Sequence, residues 1–544
     1  MIARATAFAA VAVGIGLLLA RIVPDVHGKP LFEDEAVAGL IGARPVPELV
    51  VTTLWDRGGA PLHFLLVHLA FVFDASPAAL RWLSVVFAVG AVVATFQLGR
   101  RLAGPAAGAT AALVVAASGM LGIYGSFGRM YALFAFAAAV AADLFVRALE
   151  LRTPRAAALA AAGAWLLPAV HPYGGIVVAV EALVALVLWR GRPLRAALPA
   201  VVVSLALLPF AVADLRLAQR FEVSGEQERT LATRDEAWNQ LESAVRGFAG
   251  GEGFLLVFFI ALALAGALVL LRREPAFVAF AAVAFVAPPL LATLVRTGRA
   301  PDLSPRHLIF ALPVYAALVG VAVARVPQPV GWLAVAGVGV AAALGSTGIP
   351  DPRSITYTAA LGSEEAVAEP AAWLRRTIEP GDVLYPYSSV YLAALPEGGE
   401  AHGLPRGQSQ SLLAALDRLD YPTAALFVAV PVGTTRVAGL DVPGARRFES
   451  WLLVRAAGPF PNREAILETT MRTLSDVRPA LREPIPEPLV GWFDLNEDVL
   501  QKSLAISDRQ GPPRPAQDAT AAPSGQSALT YPERKGRASP VRSS

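Results

Sequence analysis

The sequence predicts a mainly α-helical, polytopic membrane protein. It has about eleven transmembrane spans, juxtamembrane helices in the first outer loop and a small C-terminal α/β domain. Three observations predict this. Of 544 residues, 55% are hydrophobic and only 16% charged, more apolar surface than a soluble chain can bury. The arginines fall on alternate connections between apolar runs, the asymmetry described by the positive-inside rule. Past Pro350 the long apolar runs stop, and segments with strand and helix periodicity replace them.

A span needs about 20 apolar residues. Runs of that kind lie at 5–23, 78–98, 106–124, 130–147, 156–171, 174–189, 195–213, 254–271, 275–295, 307–325 and 330–347. The first run carries one Arg and no small-residue cleavage site ahead of Pro24, so it reads as a retained span rather than a removed signal peptide. Segment 61–73 is short and holds His63 and His68, while Val37, Leu40 and Ile41 repeat at helical spacing. Both segments read as juxtamembrane helices lying in the interface. With 61–73 left out of the count, Arg4, Arg100, Arg101, Arg147, Arg152, Arg155, Arg190, Arg192, Arg195, Arg272, Arg273 and Arg325 share one side. That side is expected to be cytoplasmic, with the amino terminus inside and the carboxyl terminus outside.

The expected division is a membrane module over 1–348, with outer loops at 24–77 and 214–253, then an extracytoplasmic α/β domain over 349–505. In that domain 365–378 and 463–481 read as helices, and 381–385, 424–430 and 451–455 as strands. Residues 506–544, rich in Pro, Ser, Gln, Gly and Arg, read as a disordered tail. The net charge of +3 is small and the basic residues are scattered, so nucleic acid is not an expected partner. The absence of cysteine excludes disulfides, thiolate metal sites and a Cys nucleophile. High Ala, Gly and Arg content points to a GC-rich bacterial source, hence a multi-pass protein of the bacterial cell (inner) membrane.

The stretch Leu31-Phe32-Glu33-Asp34-Glu35-Ala36 puts three carboxylates just past the first span. A solvated loop and a helix first turn also explain acids there, since carboxylates suit the positive end of the helix dipole. The same outer face gathers His63, Arg129, Tyr131, His171, Tyr173, Arg306 and His307 at span ends. Singly, the arginines are explained by snorkelling, the tyrosines by an aromatic belt and His171-Pro172-Tyr173-Gly174-Gly175 by a helix-ending turn. Together they converge on the acid-bearing face, and ionisable residues at membrane depth mark sites. Carboxylates and arginines without Cys suit group transfer from a lipid phosphate. Arginine matches phosphate oxygens with a planar fork. A carboxylate takes the proton of an attacking hydroxyl in an inverting displacement at a sugar carbon. A scaffold for envelope assembly and a lipid or polysaccharide transporter are the other classes. A transporter would place charges and broken helices near midmembrane, whereas these polar residues sit at span ends.

Several motifs in order resemble a known family: Asp34-Glu35, Ala60-Pro61-Leu62-His63, Ala79-Leu80-Arg81-Trp82-Leu83-Ser84, Leu98-Gly99-Arg100-Arg101-Leu102-Ala103-Gly104, Gly128-Arg129-Met130-Tyr131, His171-Pro172-Tyr173-Gly174 and Pro305-Arg306-His307-Leu308. Over roughly 1–347 the chain resembles membrane glycosyltransferases of the GT-C fold, in the branch holding protein O-mannosyltransferases and bacterial aminoarabinose transferase. The resemblance implies a polyprenyl-phosphate-linked sugar donor and a lipid, glycan or protein acceptor on the outer face. It implies Asp34 as the catalytic acid residue with Glu35 as neighbour or alternate, and Arg306 with Arg129 as holders of the lipid phosphate. His63, Tyr131, His171, Tyr173 and His307 are further site candidates. The second outer loop offers Arg129 and Tyr131 where some relatives place an acid, so metal dependence is left open: a divalent cation is the one candidate, and no cofactor is assigned.

Overall fold

The computed structural model describes residues 2–28, 33–50 except 48, 53, 60–179, 205, 234–294, 304–346 except 328, and 365–510 with short omissions. The predicted spans at 174–189 and 195–213 lie largely outside the described residues. So does the tail after Gln510, with the expectation of disorder attached to it.

Among the described residues the membrane part is built of helices. Its elements are α1 (Ile2–Gly28), α2 (Glu33–Gly42), α3 (Pro61–Phe73), α4 (Pro77–Ala103), α5 (Pro105–Ala117), α6 (Gly119–Tyr124), α7 (Tyr131–Leu151) and α8 (Pro154–Val170). After the undescribed segment come α9 (Arg234–Phe248), α10 (Gly253–Leu271) and α11 (Pro275–Leu294). A 3-10 turn over Pro305–Ala311 then runs into α12 (Leu312–Val323), and α13 (Val330–Leu344) follows. Among the described residues, five helices are long and apolar enough to cross a membrane: Ile2–His27, Pro77–Ala103, Tyr131–Leu151, Gly253–Leu271 and Pro305–Val323. Shorter apolar helices pack beside them. Phe8, Leu17, Val86, Phe254, Leu268, Leu333 and Leu344 stand exposed on these helices, an apolar outer belt that only lipid covers favourably. The chain is a multi-pass membrane protein.

Two predicted spans differ in detail. The run at 106–124 is not one helix, because the chain breaks at Ser118 and restarts as α6. The Ser118 hydroxyl donates to the Gly247 carbonyl at 2.9 Å, joining this break to the end of α9. The first helix does not stop before Pro24 but continues through it to Gly28. The carbonyls of Asp25 and Val26 at its end accept from the Arg81 guanidinium, so a side chain from α4 supplies donors at that terminus.

The C-terminal domain holds α14 (Glu365–Thr377), β1 (Val383–Tyr385), α15 (Ser389–Ala394), β2 (His402–Gly403), α16 (Ser409–Leu416), β3 (Thr423–Pro431), β4 (Ala445–Arg447), β5 (Trp451–Phe460), α17 (Arg463–Val477) and α18 (Glu487–Gln510). The sheet runs β2-β1-β3-β5-β4. Strand β1 lies parallel to β2 and β3, with Leu384 opposite Phe427, while β5 runs antiparallel to β3 and β4, with Val428 opposite Val454. The last helix passes the expected boundary at 505, because Ser507 still belongs to this unit: it accepts from Arg463 Nε at 2.7 Å.

The domain does not fold over a core of its own alone. Val37, Leu40, Ile41, Phe64 and Val67 of α2 and α3 lie in one buried cluster with Leu384, Phe427, Trp451 and Phe493. Helices α2 and α3 meet at Gly42, where a Cβ would fall 2.3 Å from Val67 Cγ1. The His68 Nδ1 pairs there with the Gly42 carbonyl at 2.9 Å. At the rim, burial raises the Tyr391 phenol above its ordinary range, and the nearby Arg44 cation partly offsets this. The juxtamembrane segments expected around Val37–Ile41 and at 61–73 are helices α2 and α3, and they share a buried cluster with the C-terminal domain.

Candidate functional site

The acids stand on the first turn of α2, where the helix dipole favours carboxylates. Successive helical residues point about 100° apart, and Asp34 and Glu35 accordingly meet different surroundings. Glu35 is fully buried. Its Oε1 accepts from Arg81 Nε at 2.9 Å and from the Gly128 main-chain N–H at 2.7 Å, and its Oε2 accepts from Arg81 Nη2 at 2.9 Å. This two-point pair leaves Arg81 Nη1 to bond the carbonyls of Asp25 and Val26. One guanidinium thus ties together the end of α1, the start of α2 and the opening of α4. Through Gly128, Glu35 also fixes the turn that carries Arg129. Ser84, one turn beyond Arg81, donates to the Phe127 carbonyl at 2.6 Å in the same turn.

Asp34 is the partly exposed member. Its carboxylate lies 3.7 Å from Arg306 Nη1, a loose contact for an ion pair. Its carbonyl accepts from Arg129 Nη1 at 3.3 Å. Arg306 also lies over the Tyr131 ring, with Cζ 5.8 Å from the centroid, a cation–π arrangement. Neither arginine snorkels to the surface in isolation. The Arg129 Nε is buried without a hydrogen-bond partner among the described residues. Both guanidinium groups act on the His171 ring, which burial, Arg129 and Arg306 together push down to about 3. His63, in the juxtamembrane helix, is likewise pushed down to about 3 by burial and by Arg129, against a main-chain bond to Gly128. Its Nε2 is buried with no partner among the described residues. Two guanidinium groups and two buried imidazoles thus gather beside one partly exposed carboxylate, and guanidinium groups so placed can hold an anion.

The remaining candidates converge beside Arg306. His171 ends α8, and its Nδ1 accepts the main-chain N–H of Tyr173 at 3.2 Å. His307 occupies the third position of the 3-10 turn, where its Nδ1 accepts the main-chain N–H of Ser304 at 3.2 Å in a capping box. The two imidazole centroids are 5.1 Å apart. Tyr173 stacks on His307 at 5.2 Å and Phe134 on His171 at 5.1 Å. Tyr131 approaches both histidines, at 6.2 Å and 6.5 Å. Tyr124, Tyr131 and Tyr173 are all buried, so they line the bundle interior and not a lipid-facing belt.

The structure thus brings together Asp34, Arg129, Tyr131, His171, Tyr173, Arg306 and His307, with His63 against Arg129. Glu35 is turned away from this group onto Arg81. Arg81, Gly128 and Phe134 carry no site assignment in the sequence reading. For Arg81 a signal existed, since an arginine in the first turn of an apolar span is expensive unless paired. Among the described residues no group of three or more His, Cys, Asp or Glu side chains is placed to hold a metal ion.

Comparison with solved structures decides the architecture. The crystal structure of ArnT from Cupriavidus metallidurans in the apo state superimposes with a TM-score of 0.53 at 14% identity, covering 83% of this chain and 99% of that one. The chain has the GT-C fold. The form of ArnT from the same organism bound to undecaprenyl phosphate matches at TM-score 0.52 and 15% identity, with coverage of 83% and 99%. The arabinofuranosyltransferase AftD from Mycobacteria gives 0.45 at 17% identity, covering 84% of this chain and 40% of that one. No family profile and no curated protein sequence matches the chain. The GT-C likeness spans both the membrane part and much of the C-terminal domain, and the resemblance expected from the sequence motifs extends to the fold.

Proposed function

We propose that this GT-C chain is a membrane glycosyltransferase that moves a sugar from a polyprenyl-phosphate donor to a hydroxyl acceptor, with inversion. The observation that carries the reading is the Asp34–Arg306 contact at 3.7 Å beside Arg129. It sets one partly exposed carboxylate beside two guanidinium groups, one of them with its Nε buried and without a hydrogen-bond partner among the described residues (Arg129). In the proposed step, the acceptor oxygen attacks the anomeric carbon while Asp34 takes the hydroxyl proton. The bond from that carbon to the phosphate oxygen breaks, and the electron pair leaves with the polyprenyl phosphate. Arg306 and Arg129 hold that phosphate, and charge growing on its departing oxygen meets cations already in place. When the donor enters, Arg306 exchanges a loose contact with Asp34 for the phosphate, which frees the carboxylate for the acceptor.

A lipid-phosphate donor agrees with ArnT, which has been solved with undecaprenyl phosphate. The eleven-span topology, with the site and the C-terminal domain on the extracytoplasmic face of a bacterial cell membrane, belongs to the same proposal. Support comes from the basic connections: Arg101 pairs with Asp143 at 2.7 Å and Glu150 at 3.1 Å, at the helix ends opposite the site.

The test uses purified protein in lipid with labelled undecaprenyl-phosphate sugars and an envelope extract as acceptor. Transfer by the wild type, lost in Asp34→Asn with donor binding retained, supports the assignment. Donor binding lost in Arg306→Ala places the phosphate. A wild-type protein that neither binds nor turns over any of these lipids overturns it.

A further inference from the structure

Arg129 leaves the chain from a turn whose main chain is gripped by α2, α3 and α4. The Phe127–Gly128 peptide unit is held at both of its polar atoms. Ser84 of α4 donates to the Phe127 carbonyl at 2.6 Å, and the Gly128 N–H donates to Glu35 of α2 at 2.7 Å. The next unit, Gly128–Arg129, is held differently. Its N–H, that of Arg129, donates to the Phe127 carbonyl at 2.6 Å within the turn. Its carbonyl, that of Gly128, accepts from the His63 ring of α3. Each peptide unit is planar, so fixing both units fixes the two backbone dihedrals of Gly128 between them. Glycine resists rotation there less than any other residue. Among the described residues, His63 is thus the tie from outside the turn to the peptide unit that leads into Arg129.

His63 is firmly placed for this. It is buried, and its Nε2 has no hydrogen-bond partner among the described residues, so the N–H that reaches Gly128 is the one on Nδ1. Its ring meets Phe64 edge-on with centroids 5.6 Å apart, and Phe64 enters the buried cluster shared with the C-terminal domain. Helices α2 and α3 are joined to each other at Gly42, against Val67 and through His68. Glu35 and His63 therefore reach Gly128 from one braced pair of helices, as a precise site requires of its supporting residues. A buried histidine with one main-chain bond can also serve packing alone, but a packing role would not act through Arg129. Resting on the glycosyltransferase reading, we propose that His63 is the positioning residue of Arg129: its Nδ1–H sets the Gly128 carbonyl, and thereby the direction in which Arg129 reaches the lipid phosphate. It acts through that arginine and not by contact with the sugar.

The experiment measures binding of undecaprenyl phosphate to full-length protein in lipid nanodiscs. His63→Leu removes the donor, His63→Gln moves it outward to the Nε2 position, and His63→Asn keeps an N–H near Nδ1. The Leu and Gln variants are each expected to bind roughly three- to tenfold more weakly, the size of one neutral hydrogen bond, while the Asn variant stays within about twofold of wild type. In an Arg129→Ala background, His63→Leu should cause no further loss, a non-additivity that packing alone would not produce. Melting temperature in the same nanodiscs identifies a Leu variant that fails to fold, and the Gln variant then carries both comparisons. Equal loss in both backgrounds, equal loss in the Asn and Leu variants, or no loss in the Leu and Gln variants overturns the proposal and leaves the transferase reading standing. A wild-type protein that does not bind undecaprenyl phosphate overturns both.

Discussion

Glu35 and Arg81 form a buried two-point ion pair, with both Nε–Oε1 and Nη2–Oε2 at 2.9 Å, between two elements 46 residues apart. Of these adjacent acids Glu35 is thereby committed to Arg81, while Asp34 is partly exposed beside Arg306. Breaking a buried pair by removing one partner leaves a charge uncompensated and costs about 3–5 kcal/mol. Glu35→Gln and Arg81→Met should each lower the melting temperature of the detergent-solubilised protein markedly. The double variant Glu35→Leu with Arg81→Met should recover much of that loss. If the double variant is as unstable as the sum of the singles, the two residues are not coupled.

Asp34→Asn should behave in the opposite way. Its carboxylate is partly exposed and its contact with Arg306 is loose, at 3.7 Å, so thermal stability should change less than in the Glu35 variants. Transfer should fall by about 10²–10⁴, the usual worth of a general base. Single-turnover rates with labelled donor report this directly. A large drop in melting temperature with modest loss of rate would assign Asp34 a structural role instead.

Gly128 lies where the turn bearing Arg129 meets Glu35 and Leu80. A Cβ there would come within 2.6 Å of Leu80 Cγ and 3.2 Å of Glu35 Oε1. Gly128→Ala should cost about 1–3 kcal/mol by overpacking and shift Arg129 from the Asp34 carbonyl. Donor affinity should therefore fall in Gly128→Ala, and the smaller partner Leu80→Ala should restore part of it. A double variant with no recovery would show that the Cβ clash is not the cause.

His63 and His171 are both held near 3, below the ordinary value of 6.5. The unfolded chain takes up protons at these positions as pH drops below about 6.5, while the folded chain does not until near 3. Their contribution is therefore full above pH 6.5 and is lost progressively as pH falls toward 3. Melting temperature measured across this window should decline on acidification, and the slope should be shallower in His171→Phe. An unchanged slope would mean that His171 is not buried as a neutral ring.

Much of the membrane architecture was legible because apolar runs of membrane length leave little choice of structure. The strands at 424–430 and 451–455 were legible from their composition. The break at Ser118 was not, since the residues on both sides are equally apolar and the stop depends on the Gly247 carbonyl, 129 residues away. Strands β2 and β4 are two and three residues long, too short for periodicity to register. At the candidate site, residue types pointed to one face, and the structure brings most of those residues together. The division of labour between Asp34 and Glu35 was illegible, because two neighbouring acids have the same chemistry until a helix turns one toward Arg81. The main-chain bonds of the His171 and His307 rings were illegible for a similar reason, being set by turn geometry rather than residue type.

The hydrophobic cluster shared by α2, α3 and the C-terminal sheet has a consequence for how such proteins diverge. Val37, Ile41 and Phe64 belong to one buried cluster with residues more than 300 positions away, among them Leu384 and Phe427. A chimera that exchanges only the C-terminal domain for that of another GT-C protein would expose this seam and leave the acid-bearing loop without its backing. The loop and the domain must be inherited as a matched pair, so change in one selects compensating change in the other. The domain can then change only as fast as its seat on the loop allows.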